Sequence, residues 1–92
     1  MRPRVKERDI EAYLVKRVKA MGGEIRKAQW IGRVGAPDRR VMLPDRLPVW
    51  VELKAPGVKP EMHQLREHNR MRRLGELVEV VDSLEAVESL LS

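Results

Sequence analysis

The sequence predicts a mixed α/β fold in which a four-stranded sheet is flanked by helices. The predicted order is helix, three strands, helix, strand, helix. Three observations lead there. Apolar residues recur at helical spacing near both ends of the chain, whereas short apolar runs of strand character occupy the middle. Glycine and proline clusters separate these segments. One long helical stretch lies between the third and fourth strands, so the fourth strand should return parallel to the strand it joins. The 92 residues make a single domain, residues 1–92, with a thin core.

The elements follow in order. From Val5 to Met21, the residues Ile10, Leu14, Val18 and Met21 form one apolar helical stripe, and Gly22-Gly23 ends it. Glu24 to Trp30 reads as a weakly patterned strand. Gly32, Gly35 and Pro37 then make a loop. Asp38 to Leu43 and Val49 to Lys54 read as two strands of a hairpin, because Pro44 and Pro48 bar the insert between them from a ladder. Pro60 suits the first turn of a helix that should run to Leu74 and stop at Gly75. Leu77 to Val81 is a short strand. Asp82 or Ser83 caps a last helix whose buried stripe is Leu84, Val87, Leu90 and Leu91.

Composition narrows the function. There is no cysteine, which removes disulfides and thiolate chemistry. No stretch is long and apolar enough to span a bilayer, and the charged start Met1-Arg2-Pro3-Arg4 does not read as a signal peptide. Residues 1–75 hold all 19 Lys and Arg with nine of the 14 acids, whereas residues 76–92 hold five acids and no Lys or Arg. A basic body of this kind suits a polyanion such as nucleic acid, through phosphate contacts and counterion release. Three aromatics, Tyr13, Trp30 and Trp50, are too few for a base-stacking platform and should serve the core or an interface. There is no nucleotide-binding glycine loop and no zinc-finger spacing.

The chemistry concentrates around the hairpin. Alternation places Val49, Val51 and Leu53 on one face, and Trp50, Glu52 and Lys54 on the other. Glu52 and Lys54 then lie roughly 7 Å apart at the strand's end. With the turn centred near Arg46, Asp38 should oppose Lys54 and Arg40 should oppose Glu52. Two carboxylates near one point make a hard-oxygen site for Mg²⁺ or Mn²⁺, with the Leu53 carbonyl as a further oxygen. A lysine beside it can orient or activate a water or neutralise charge on phosphate. Asp45, in a second Pro-Asp-Arg block, is roughly 16 Å from Glu52 along the ladder and reads as a turn residue.

Taken together, Gly35-Ala36-Pro37-Asp38-Arg39, then Val51-Glu52-Leu53-Lys54-Ala55-Pro56-Gly57, then Gln64, resemble the VRR-NUC domain of the PD-(D/E)-x-K nucleases, in its stand-alone, phage-type form. The resemblance runs from Ile10 to about Asp82. It implies a restriction-endonuclease-like αβββαβ core, to which this chain adds a short C-terminal helix. It also implies divalent-metal-dependent phosphodiester hydrolysis leaving a 5′-phosphate, and a homodimer acting on branched DNA as Holliday junction resolvases do. A cytoplasmic setting, in a bacterium or a phage-infected host, follows from the same resemblance.

On that resemblance Asp38 and Glu52 hold the metal, Lys54 serves the water, Gln64 supports water or metal, and a first-helix glutamate completes the shell. Glu11 is preferred for that last place, because it borders the apolar face carrying Leu14, Val15 and Val18; Glu7, one turn earlier, is its alternative. Arg33, Arg39, Arg40, Lys27, Arg66 and Arg70 are candidate phosphate contacts. His63 and His68 are five apart, off the spacing of a helical metal pair, and are expected at the surface or facing DNA. A nickase or flap-cutting nuclease, and a basic DNA-binding module without catalysis, are the alternatives.

Overall fold

The first helix, α1 (Glu7–Ala20), starts where the Lys6 backbone N–H donates to the Asp9 carboxylate at 2.8 Å. This computed structural model describes residues 4–92, so the reading of Met1 to Pro3 lies outside the described residues. Helix α1 ends at Met21, and a Cβ on Gly23 would fall 2.4 Å from the Met42 carbonyl. Glycine there lets the outgoing chain press against its neighbouring strand.

Strand β1 (Glu24–Lys27) is shorter than the predicted Glu24 to Trp30. The Ala28 N–H still donates to the Asp38 carbonyl at 2.9 Å. Beyond it the Trp30 indole N–H turns back to the Pro37 carbonyl at 2.7 Å, and its ring packs on Trp50 at 4.9 Å. Satisfying a large aromatic near the hairpin ends the ladder early.

Strands β2 (Arg39–Met42) and β3 (Val49–Leu53) form the expected hairpin, but the register differs from the predicted one. Arg39 opposes Val51 and Arg40 opposes Trp50. The turn is centred on Asp45, whose φ of 60° is the left-handed conformation that aspartate tolerates, and not on Arg46. Asp45 is thus a turn residue, as predicted, while Arg46 donates to the Leu91 carbonyl at 2.8 Å.

Helix α2 (Met62–Arg73) leads to β4 (Val78–Val81), which pairs parallel with β3, and then to α3 (Leu84–Leu91), where Ser83 accepts the Ala86 N–H at 2.9 Å. The sheet order is β1-β2-β3-β4. This is the mixed four-stranded α/β architecture that the sequence predicts.

The core lies on one face of the sheet. Ile10, Leu14 and Val18 of α1 meet Val41, Val51, Leu53 and Val81 of the strands and Val87 and Leu91 of α3. At the rim of this layer, Arg17 and Tyr13 of α1 both donate to the Glu88 carboxylate of α3. Helix α2 packs against β4 across the other face, leaving the ends of β2 and β3 to form the site. Among the described residues, no helix is long and apolar enough to cross a membrane.

Candidate active site

Alternation along β2 and β3 decides which side chains converge. Val51 and Leu53 enter the core, so Glu52 between them turns toward α2. Extending the observed register by one step brings Asp38 opposite Glu52, not opposite Lys54 as expected. The summed positions change by two, so every residue keeps its predicted face. The difference puts the two acids at facing positions, and the Asp38 charge acts on Glu52.

Pro37, fully buried just before Asp38, anchors the loop that delivers it. That loop lies on the first turn of α2: a Cβ on Gly35, whose φ is +87°, would approach the His63 carbonyl to 2.9 Å. Only glycine accommodates both the conformation and the contact.

Glu52 is surrounded. Its side chain is 12% exposed. Lys54 Nζ lies 4.0 Å from Oε2, and the Gln64 amide donates to the same oxygen at 3.5 Å. Gln64 is itself held, because its Oε1 accepts the Glu61 backbone N–H at 2.9 Å at the start of α2. His68 Nε2 faces Oε1 at 3.6 Å. Burial pushes the Glu52 carboxyl up to about 7; the Lys54 charge opposes that rise, and the Asp38 and Glu7 charges add to it. The carboxylate is therefore costly to charge in the protein alone.

His68 corrects the expectation of a surface or DNA-facing residue. It is 0% exposed, and neither ring nitrogen meets a partner at full hydrogen-bond geometry among the described residues; the Gly35 backbone and the Glu52 carboxylate are the polar groups beside it. Burial lowers its pKa, and the Arg72 and Lys54 charges lower it further. The signal that locates it was in the sequence: Gln64 and His68 are four apart, on one face of α2. His63 does lie at the surface, near Glu61.

Arg39 corrects a second expectation. Its side chain is only 13% exposed and is spent inside the protein. It shares the face of Val41 and Val51, so it turns toward α1 and pairs with Glu11, while Nη1 lies 2.8 Å from Asp38 Oδ1. Burial opposes the guanidinium charge there, but Glu11 and Asp38 outweigh it and raise the pKa. Glu11, the preferred helix ligand, is thus occupied by Arg39, and it is Glu7 whose charge acts on Glu52. Among the described residues no three His, Cys, Asp or Glu side chains gather as a ready metal cage.

The remaining basic residues divide. Arg40 stacks over Trp50 at 4.7 Å and reaches Glu76 at 3.4 Å. Lys27 and Arg39 line a shallow cleft of about 220 Å³ beside α1. Arg33, Arg66, Arg70 and Arg73, with His63, line an open groove of about 490 Å³ between the Gly35 loop and α2. Arg33 is fixed in it by Glu67 at 2.9 Å.

The comparisons with known proteins agree with this architecture. A solved structure described as a VRR-NUC domain superposes with a TM-score of 0.84 at 43% identity, over 95% of each chain. A protein of Acyrthosiphon pisum secondary endosymbiont phage 1, named "Putative nuclease p44", is 48% identical over 79 residues, 86% of this chain and 85% of that protein. No family model matches the chain.

Proposed function

The chain belongs to the VRR-NUC domain family of nucleases, and from that premise we propose that it is a divalent-metal-dependent endonuclease that hydrolyses DNA phosphodiester bonds. The observation that carries the reading is Glu52: a nearly buried carboxylate, opposed by Asp38 and attended by Lys54 and Gln64. A negative charge raised in cost by burial and by neighbouring acids is stabilised by a cation.

The donor set fits Mg²⁺ or Mn²⁺. Both metals accept one or two carboxylates and fill the remaining positions with waters and phosphate oxygens. Asp38 and Glu52 would supply the carboxylates, the Leu53 carbonyl a further oxygen, and Glu7, or Glu11 once it leaves Arg39, an outer acid. When bound, the metal supplies Lewis-acid activation of the phosphate and lowers the pKa of a coordinated water.

The protein's own groups do the rest. Lys54, 16% exposed, stands where it orients the attacking water and offsets charge on the phosphate. Gln64 fixes Glu52 Oε2 and so the direction in which the carboxylate presents itself. Attack of water oxygen on phosphorus expels the 3′ oxygen, leaving a 5′-phosphate. The Arg33, Arg66, Arg70 and Arg73 groove holds backbone phosphates without reading bases.

The preferred substrate in this reading is a four-way junction cut by a homodimer, whose two-fold symmetry matches that of the DNA. The test is a labelled set of four-way junction, flap and linear duplex with Mg²⁺, Mn²⁺ or chelator. Junction cleavage that chelator abolishes is expected. Preference for a flap or a nicked duplex would replace the junction reading. Salt-sensitive binding with no product under any metal would leave a binding module instead. Asp38→Ala should keep the fold and lose about 10³-fold or more in cleavage, several kcal/mol of transition-state stabilisation.

A further inference from the structure

We infer that His68 is a positioning residue for Glu52: its Nε2–H holds Oε1 from beneath α2 while Gln64 holds Oε2, fixing the carboxylate for a divalent cation. The inference rests on the metal-site reading above and goes beyond it, because His68 belongs to none of the motif blocks.

The geometry is that of a two-handed cradle. Gln64 and His68 are one helical turn apart on α2, and each presents a side-chain nitrogen to a different oxygen of Glu52, at 3.5 Å and 3.6 Å. Each oxygen keeps its outward lone pairs free for a cation. The histidine contact is slightly longer than a formed hydrogen bond, as contacts at such sites often are before the ligand arrives.

The Gly35 backbone can satisfy one ring nitrogen, but the fold gives no reason for the second, which faces Glu52. His68 is completely buried; the Gly35 backbone and the Glu52 carboxylate face its ring, neither at full hydrogen-bond geometry, so the nitrogen toward Glu52 has no other partner among the described residues. A buried polar group left so is destabilising, and an apolar side chain of similar volume would pack without that cost. The rest of the buried stripe on α2 is apolar at Met71. The exception stands at the position that touches the central carboxylate of the site.

Groups that orient a metal-ligating side chain typically change metal affinity 10–100-fold when removed. The test is calorimetric titration with Mn²⁺ alone on wild type, His68→Leu, His68→Gln and Asp38→Ala. His68→Leu should fold with an unchanged or raised melting temperature, yet bind Mn²⁺ roughly 10- to 100-fold more weakly. His68→Gln, which keeps a donor, should recover part of the loss. His68→Leu binding Mn²⁺ as tightly as wild type, or His68→Gln falling as far as His68→Leu, overturns the inference and leaves the metal site standing. Wild type binding no better than Asp38→Ala overturns the metal site itself, and the inference with it. Ring ¹⁵N spectra of the wild-type protein give a second readout that requires no variant to fold. The neutral ring should carry its proton on Nε2, and a proton on Nδ1 alone overturns the assignment.

Discussion

Glu52 and Glu88 lie on opposite sides of one sheet and are pushed in opposite directions. At the rim of the α1–α3 layer, hydrogen bonds from Arg17 and then Tyr13 bring the Glu88 carboxyl down to about 2. On the α2 side, burial holds the Glu52 carboxyl up at about 7. Glu88 has donors and open water; Glu52 has little water, an incomplete set of donors and an acid across the hairpin. The first arrangement is a group satisfied by its fold. The second is a group whose fold leaves it short of positive charge, and such a shortfall at a strand end is a reason to look for a ligand.

The comparison breaks most decisively at Glu52→Gln. Cleavage should fall about 10³-fold or more, with loss of a ligand and its charge. The metal-free protein should nevertheless become more stable at pH 8, by about 3 kcal/mol. The folded-state value of about 7 is above the ordinary carboxyl value of 4.5, so ionising Glu52 works against folding. The penalty is absent below about 4.5, grows between 4.5 and 7, and is constant above. Thermal melts of both proteins in chelator from pH 4 to 8 check it. Curves that stay parallel across that range would show Glu52 to be as well satisfied as Glu88. Saturating Mg²⁺ should close the gap by stabilising wild type alone.

A smaller effect separates the groove from the seam. Arg66→Ala and Arg70→Ala should each weaken binding to every DNA tested and lower the slope of log affinity against log salt by about 1. Arg17, spent on Glu88, should leave that slope unchanged when replaced. Fluorescence anisotropy at several salt concentrations distinguishes them. Equal slopes for all three variants would remove the groove from the DNA path.

Much of this asymmetry was legible in the chain. Alternation in Val49-Trp50-Val51-Glu52-Leu53-Lys54 sends Glu52 away from the core whatever the register, which is why moving the turn from Arg46 to Asp45 kept each predicted face. The same parity puts Arg39 beside Val41, on the helix side, and would have removed it from the phosphate contacts had it been applied there. His68 was less accessible. Measured against His63 it fits no metal spacing; measured against Gln64 it lies one turn further along the same stripe. The early end of β1 depends on the contact between Trp30 and Trp50, which no local pattern contains. The pairing of Glu11 likewise depends on a partner from another element, Arg39 of β2.

The smallest expected effect tests the other half of the comparison. Glu88→Gln should lower the melting temperature at pH 7 by only a few degrees, since the side chains of Arg17 and Glu88 are 35% and 45% exposed and water screens their attraction. Because the folded-state carboxyl is brought down to about 2 from the ordinary value of 4.5, Glu88's contribution is complete above about 4.5 and fades as the pH falls toward 2. The melting curves of wild type and Glu88→Gln should therefore converge over that interval, while Glu52 and its variant converge by about 4.5 and separate as pH rises. Cleavage at neutral pH should be unchanged, because among the described residues the hydrogen-bond partners of the Glu88 carboxylate, Arg17 and Tyr13, both lie on α1. A loss of activity in Glu88→Gln without a loss of stability would mean that the two sides of the sheet are coupled, and that α1 carries the change from Glu88 to the end bearing Glu7 and Glu11.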